Sequence, residues 1–512
     1  MKSISRILQF VIFAIAAVQL LLFPKWTVDD AFISYRFGKN LVGSGELAWN
    51  AGEKPVEGYT GIALPLLAAT AISMNFLPEE FIRLISILAF LLSGFLLWRF
   101  LIAKQAGIWI ASGALMSWML NPLALSHAHS GLETMLFSVA ILGAFVVWMN
   151  SDAGNKLHFG MALLCTIVAL IRPEGAILGI LICVAILLSN TGNRRLRNRN
   201  FLGMLIAFGL PLAAYHIWRI NYYDSILPNT WHAKQYDGIA NPESLKQIAE
   251  FKLLFLLPIL LPFLLIFAGN WKTIRLQEWK SGKLIRQTFP FLIFFCFLFG
   301  IYLTSWLFMG FSFRFFFPVL PVFITVIALL SGRLNEKIPD GKRKTLVVAL
   351  LFSGLLLQAM VFSWKAPGEW QYADQYKKIM ENEWREAAKE IASKIDPGKT
   401  IACYQDAGLI PYLLPNRCID FGMLNDSWLA AERRKPEEVV EYFFECNPAA
   451  AVFTSFSDTI YVYNKEAEMI QADERFGEYR LHKVYTNLNG DYCQFLYFRS
   501  IGSLSDRNPE LQ

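Results

Sequence analysis

Long apolar runs separated by short polar stretches occupy the first 363 residues of the chain. A helix that crosses a bilayer needs about 20 mostly apolar residues, so each run predicts a membrane-spanning helix. Beyond residue 363 the pattern alternates between helix-like and strand-like stretches, which predicts a separate α/β domain over residues 364–512. The predicted spans are residues 7–23, 81–98, 107–125, 132–149, 157–171, 176–190, 201–218, 251–269, 289–307, 315–331 and 345–363. In the tail, the predicted helices are 380–394 and 436–446, and the predicted strands are 400–405, 450–454 and 491–499.

Basic residues fall in alternate connections between these eleven runs, and they set the orientation because cytoplasmic loops collect Lys and Arg. The pattern predicts a cytoplasmic N-terminus and an extracytoplasmic tail. The apolar stretch 61–77 would invert every later loop if it were a span, so we expect a helix at the outer surface or partway into the bilayer. The basic residues are Arg99, Lys104, Lys156, Arg194, Arg195, Arg197, Arg199, Lys272, Arg275, Lys280, Lys283, Arg286, Arg333, Lys337, Lys342, Arg343 and Lys344.

Composition supports a protein of the membrane, because 55% of the residues are hydrophobic and 17% are charged. The net charge of +6 is scattered between apolar runs and forms no basic stripe, so a nucleic-acid partner is not expected. Ala14, Ile15 and Ala16 resemble a signal cleavage site, but the apolar run continues to Phe23, and we expect an uncleaved first span. Four of the seven cysteines lie in the tail, where an oxidising compartment would permit disulfides, and the sequence leaves their pairing open.

The long first outer loop, residues 25–80, carries the candidate chemistry. Asp29 and Asp30 follow the first span directly, at the level where a lipid headgroup lies. Adjacent residues of a helix point about 100° apart, so we expect one carboxylate to face a cavity while the other braces the loop. An aspartate before a helix can also serve only as an N-cap. The sequence does not decide which aspartate has which role.

Several short segments in this order resemble the GT-C superfamily of integral-membrane glycosyltransferases. They are DDAFISYR, NAGE, VEGYT, SGLET, RPEG, LPNTWHAK, RFFFPVLP and, in the tail, DAGLIPYLLPNRCIDFGMLND from Asp406 to Asp426. Within that superfamily, the chain is most similar to mycobacterial-type terminal arabinofuranosyltransferases and their bacterial relatives. The resemblance implies a GT-C-like domain over residues 1–363 that transfers a sugar, with inversion, from a polyprenyl phosphate to a hydroxyl of a cell-envelope glycan or glycolipid.

The resemblance and the boundary positions together nominate the site residues, with Asp29 or Asp30 as the catalytic base. The departing phosphate needs cations at the outer boundary, and four basic residues qualify: Arg36, Arg172, Lys234 and Arg314. The candidates for contact with sugar or acceptor are Glu57, Tyr59, His129, Glu133, Glu174, Asn229 and His232. No cofactor is required by the pattern, although Asp30, His129 and Glu133, near His127, could bind a divalent metal.

Several alternatives stay open at this point. The transferred sugar could be a mannose or an aminoarabinose, with protein or lipid A as the acceptor, because nothing in the tail is diagnostic of arabinose. A lipid-linked-sugar flippase would also use many spans, and a non-catalytic glycan-binding subunit would tolerate loss of both aspartates. The expected location is the bacterial inner membrane, with the lipid donor, the acceptor and membrane lipid as partners.

Overall fold

A computed structural model describes residues 2–150, 159–188, 194–236, 238–269, 283–307, 309–337, 341–431, 434–459, 461, 464–486 and 492–500. Some of the sequence-based predictions lie outside these residues. They are parts of two predicted spans (157–158 and 189–190), the start of the last predicted strand (491), and the basic residues Lys156, Lys272, Arg275 and Lys280. The helices before the tail are α1 Lys2–Leu22, α2 Asp29–Ser44, α3 Ala63–Ser73, α4 Pro78–Ala103, α5 Ile108–Met119, α6 Pro122–His129, α7 Thr134–Asn150, α8 Phe159–Ile171, α9 Gly175–Leu187, α10 Arg194–Met204, α11 Leu210–Tyr223, α12 Asn229–Lys234, α13 Pro242–Phe251, α14 Leu257–Gly269, α15 Lys283–Leu303, α16 Leu320–Lys337 and α17 Lys342–Ile379.

The apolar helices confirm a multi-pass membrane architecture. Six helical stretches of the described residues are long and apolar enough to cross a bilayer, and α5 with α6, bent by 48°, would make a seventh. Four shorter apolar helices, which are α1, α7, α8 and α9, coincide with the remaining predicted spans. Length alone does not establish these four as spans, so the count of eleven stays a prediction.

The predicted outer helix at 61–77 corresponds to α3, which is eleven residues long and packs along α2. Close packing requires Gly38, since a Cβ there would lie 2.7 Å from the carbonyl oxygen of Pro65 and 2.8 Å from the Cβ of Ala68. Although the sequence of α2 contains many polar residues, Phe32, Tyr35 and other side chains of this helix are buried, and the helix packs against the tail. The first outer loop is therefore a packed layer between the membrane helices and the tail.

The tail folds into an α/β unit around a five-stranded sheet, in the order β2-β1-β3-β5-β4. Strand β1 pairs in parallel with β2 and β3, whereas β5 pairs antiparallel with β3 and β4. The strands are β1 Ile401–Tyr404, β2 Cys418–Asp420, β3 Ala450–Ser455, β4 Tyr479–Thr486 and β5 Cys493–Arg499. The helices are α18 Arg385–Lys394, α19 Leu409–Leu413, α20 Ser427–Ala431, α21 Pro436–Cys446 and α22 Lys465–Ala472.

These elements confirm the two helices and the three strands predicted in the tail, whereas strands β2 and β4 were not predicted. The proposed boundary at residue 363 falls inside α17, which runs unbroken from the apolar region into the tail, so no break in the chain marks it. The division into residues 1–363 and 364–512 stays a prediction. All seven cysteines are free thiols, so none of the disulfides that the sequence left open is present.

Candidate functional site

A polar cavity lies where α2, α12, the loop after Glu57 and the segment before α16 meet. Its lining is Asp30, Ile33, Ser34, Gly58, Tyr59, Thr60, Gly61, Leu64, Leu132, Glu133, Arg172, Thr230, Lys234, Arg314 and Leu424. A larger cavity of about 340 Å³ lies among α5, α14, α16 and α17, but its described lining contains no charged side chain. Acid–base chemistry and phosphate recognition both need ionisable groups, so the polar cavity is the candidate site.

Asp30 is the aspartate that faces this cavity. Its side chain is 29% exposed, and its Oδ2 lies 3.3 Å from Nη2 of Arg314. Ser34, one helical turn further along α2, lines the same cavity. The helical spacing therefore directs Asp30 and Ser34 towards the space that a ligand would occupy.

Asp29 points the other way and binds the tail. Its two carboxylate oxygens accept the backbone N–H groups of Gly408 at 2.8 Å and Leu409 at 2.7 Å, at the start of α19. A Cβ on Gly408 would lie 2.0 Å from the carbonyl oxygen of Asp29, so only glycine permits this approach. Burial, and then the nearby charge of Asp406, raise the pKa of Asp29. The geometry separates the two aspartates into a cavity residue and a brace.

Two of the four nominated cations, Arg314 and Lys234, lie against Asp30 or near it. The buried guanidinium of Arg314 contacts Asp30 and stacks 4.8 Å from the ring of Phe315. Lys234 ends α12, and no described residue forms a hydrogen bond or an ion pair with its ammonium. Burial, together with the charge of Arg314, lowers the pKa of Lys234 to about 8. Within the described part of the chain, the cavity therefore holds a cation without an anionic partner.

Arg172 is the third cation of the cavity, and it is held by a buried network. It pairs with Glu133 at 3.0 Å and with Glu174 at 3.2 Å, and it also donates to the hydroxyl of Tyr302 at 3.2 Å. Glu133 lines the cavity, whereas Glu174 lies behind Arg172 and is not part of the lining. Glu174 therefore orients the arginine and is not placed to touch a sugar.

Arg36 lies outside the cavity, contrary to its nomination as a phosphate ligand. Its Nε donates to the carbonyl of Trp49 at 2.8 Å, and its Nη2 donates to that of Asn416 at 2.8 Å. Its Nη1 donates to the carbonyl of Pro411. Because every guanidinium nitrogen already has a protein acceptor, Arg36 joins α2 to the tail and has no donor left for a phosphate.

Glu57 is also committed to a structural contact. Its Oε2 lies 2.6 Å from Arg219, and both side chains are almost fully buried. Its carbonyl accepts the backbone N–H of Asn229 at 3.1 Å, which joins this loop to the start of α12. Tyr59, by contrast, lines the cavity, and its hydroxyl is 3.0 Å from that of Tyr223. The sequence did not single out Arg219.

The remaining nominated residues do not line the cavity. His129 is buried, with its Nδ1 bonded to the carbonyl of Leu125 at 3.1 Å, and His232 is exposed. Asn229 begins α12, but Thr230, its neighbour, is the residue that reaches the cavity. The suggested metal set of Asp30, His129 and Glu133 is therefore not brought together. Across the described part of the chain, no three His, Cys, Asp or Glu side chains are grouped to hold a metal.

The tail contributes to the cavity through Leu424, which was not a candidate although its segment was quoted as a motif. Next to it, Gly58 approaches so closely that a Cβ would lie 1.8 Å from Oδ1 of Asn425 and 2.9 Å from the carbonyl oxygen of Leu424. The cavity is thus closed by a contact between the first outer loop and the tail.

Substitution of Gly58 by Ala should loosen this contact. The added methyl group overlaps the tail loop, and we expect the free energy of unfolding to fall by about 1–3 kcal/mol, as for overpacked sites. Gly43→Ala, in α2 with open space around its Cβ position, is the control and should be neutral or slightly stabilising. Thermal unfolding of both purified variants measures the difference, and equal melting temperatures would contradict the proposed contact.

Comparison with known proteins places this geometry in context. Residues 46–240 match the Alg9-like mannosyltransferase family, and residues 369–497 match a family described only as a domain of unknown function. The chain is 28% identical over 234 residues to a terminal beta-(1->2)-arabinofuranosyltransferase of Corynebacterium glutamicum. This alignment covers 41% of the chain and 33% of that protein. It is 27% identical over 246 residues to the protein of the same name from Mycobacterium tuberculosis, which covers 44% of this chain and 38% of that protein.

The aligned part therefore spans about a third of the first relative and 38% of the second. In three dimensions, the chain is similar to the crystal structure of ArnT from Cupriavidus metallidurans bound to undecaprenyl phosphate, with a TM-score of 0.56 and 14% identity over 98% of this chain and 99% of that one. A likeness at this identity concerns the fold alone. The matched family segment, the two sequence relatives and the shared fold together support the resemblance of the chain to the GT-C superfamily of membrane glycosyltransferases.

Proposed function

We propose that the chain transfers a sugar from a polyprenyl-phosphate donor to a hydroxyl group of a cell-envelope glycan or glycolipid. The observation that carries this proposal is the convergence on a single cavity of three cations and two carboxylates, Asp30 and the Glu133 that is paired with Arg172. Transfer of a glycosyl group requires a base for the acceptor hydroxyl and positive charge for the departing phosphate. Arg314, Lys234 and Arg172 supply that charge.

The reaction would proceed with inversion through an oxocarbenium-like transition state. Asp30 accepts the proton of the acceptor hydroxyl while the oxygen of that hydroxyl bonds to the anomeric carbon. At the same time, the bond between that carbon and the phosphate oxygen breaks. Arg314 lies 3.3 Å from Asp30. A donor phosphate would compete for this guanidinium, which would leave Asp30 free to act as the base.

The cavity must widen before a sugar can enter. Its volume is about 40 Å³, comparable with one or two water molecules in the liquid and smaller than a pentose. Lys234 and Leu424 lie on separate elements, α12 and the loop before α20, and could move apart. We therefore expect donor binding to be accompanied by a displacement of these elements.

The relatives support a polyprenyl-phosphate donor, and they favour different sugars. The ArnT crystal structure was solved with undecaprenyl phosphate, which supports a polyprenyl carrier here. The two arabinofuranosyltransferase relatives favour arabinofuranose, whereas the Alg9-like mannosyltransferase family match favours a mannose. The likeness to ArnT concerns the fold and does not distinguish between sugars. The proposed orientation has a cytoplasmic N-terminus, eleven spans and an extracytoplasmic tail, so that the cavity opens at the outer leaflet of a bacterial inner membrane.

Glycan analysis of a deletion strain tests this function. Loss of one terminal sugar, restored by the wild-type gene and not by a gene encoding Asp30→Asn, is the expected result, and the missing sugar identifies both donor and acceptor. A changed distribution of the lipid carrier across the membrane, with an intact glycan, would instead establish a flippase. Full restoration by Asp30→Asn would favour a non-catalytic glycan-binding subunit.

The affinity for undecaprenyl phosphate should fall as the pH rises through about 8. The pKa of Lys234 is lowered to about 8, so the ammonium is charged below this pH and neutral above it. A phosphate monoester with a pKa near 6 keeps its charge over this range. Loss of the positive charge on Lys234 would weaken binding of the phosphate by about tenfold between pH 7 and pH 9.

Lys234→Arg provides the control, because a guanidinium stays protonated throughout this range. Titration with undecaprenyl phosphate in detergent at several pH values measures both proteins. The arginine variant should give a flat profile, and the same fall in affinity for both proteins would show that Lys234 is not the titrating group.

A further inference from the structure

The backbone immediately before Arg314 is held in an uncommon conformation. Met309, Ser312 and Phe313 have φ values of 53°, 48° and 54°, in the left-handed region, and none of them is glycine. A residue other than glycine keeps this conformation only where the surrounding structure enforces it. The three residues lie within five positions of Arg314, so its direction depends on this conformation.

The contacts that enforce it converge on Ser312. The Oγ of Ser312 donates to Oε2 of Glu369 on α17 and lies 3.0 Å from Oγ of Ser126 on α6. The carbonyl of Ser312 accepts the Nε2–H of His127 at 2.9 Å. Both the side chain and the backbone of this one residue are therefore tied to two neighbouring helices.

Aromatic packing holds the preceding residue in place as well. The ring of Phe311 lies edge-on to Trp26 at 5.1 Å, is tilted against His127 at 5.7 Å and is stacked on Tyr372 at 6.1 Å. Tyr372 lies on α17, one helical turn beyond Glu369. Helix α17 thus contacts the segment both through a hydrogen bond and through an aromatic ring.

The serine, the histidine and the carboxylate do not form a nucleophilic triad. His127 is bonded to the backbone carbonyl of Ser312 and not to its hydroxyl, so it cannot take the hydroxyl proton. None of the three side chains lines the polar cavity. Their shared feature is contact with the segment that carries Arg314.

We propose that Glu369 is a positioning residue for Arg314. By accepting the hydrogen bond of Ser312, it keeps the segment in its left-handed conformation and so keeps the guanidinium beside Asp30 at the cavity. This inference rests on the proposed function, in which Arg314 binds the donor phosphate. Without the hydrogen bond, the segment relaxes to negative φ values and Arg314 turns away from the cavity.

Titration of the purified full chain with undecaprenyl phosphate tests the inference. Glu369→Leu and Ser312→Ala should each weaken binding by about tenfold, the loss of one charge-assisted contact. Glu369→Gln keeps an acceptor for Ser312 and should bind nearly as well as the wild type. Asp374→Leu, also on α17 but half-exposed and paired with Lys378, is the matched control and should bind normally.

Glu369→Leu in an Arg314→Gln background distinguishes a positioning role from a general loss of folded structure. If Glu369 acts through Arg314, Glu369→Leu causes no further loss of affinity once the arginine is gone. The same tenfold loss in that background, or normal binding by Glu369→Leu alone, would overturn the proposal. Failure of the wild-type protein to bind undecaprenyl phosphate would instead contradict the proposed function.

Discussion

Asp30→Asn should lower the rate of sugar transfer by about 10²- to 10⁴-fold, the usual contribution of a positioned general base. The amide has nearly the same shape as the carboxylate but cannot accept the proton of the acceptor hydroxyl. The side chain is partly exposed at the cavity, and its one ion pair among the described residues is with Arg314, so folding should be unaffected. Membranes that contain the variant, supplied with a polyprenyl-phosphate sugar, provide the measurement.

Asp29→Asn is the matched control for this prediction. Its amide can still accept one backbone N–H from Gly408 or Leu409, but its NH2 group would face the other. We expect a loss of about 1–2 kcal/mol in stability, as for other N-caps, and normal transfer per folded molecule. Equal catalytic losses in both folded variants, or full activity in Asp30→Asn, would contradict the assignment of the base.

Arg219→Met should destabilise the protein by about 3–5 kcal/mol, because it leaves the carboxylate of Glu57 buried without its counter-charge. The pair is 2.6 Å apart, and the two side chains are 5% and 4% exposed. Burial already raises the pKa of Glu57, and Arg219 is the group that opposes this rise. Thermal unfolding in detergent measures the loss.

Combining Arg219→Met with Glu57→Gln should restore most of that stability, since no buried charge then remains. If Glu57 were instead a sugar ligand, the double variant would regain this stability but would not transfer the sugar. The result therefore decides whether Glu57 supports the loop that leads to α12 or contacts the substrate.

Local patterns were sufficient for the elements and for part of the site. Apolar runs located helices at all eleven predicted positions, and alternation in the tail located β1, β3 and β5. Helical spacing separated Asp29 from Asp30, although it did not indicate which of them faces the cavity. Arg172, Lys234 and Arg314 were nominated by boundary position, and all three line the cavity.

Local sequence patterns did not predict the long-range contacts. Arg36 occupies the same kind of boundary position as Arg314, but its acceptors at Pro411 and Asn416 come from more than 370 positions further along the chain. The role of Leu424 likewise depends on docking of the tail onto Gly58. Such docking depends on the tertiary structure, and no local periodicity encodes it.

A structure of the full chain bound to undecaprenyl phosphate, determined by electron cryomicroscopy, tests the central claim most directly. The account predicts that the phosphate lies within hydrogen-bonding distance of Arg314 and Lys234, with Asp30 facing the same space. A phosphate bound elsewhere, or an Asp30 side chain directed away from it, would contradict the proposed site.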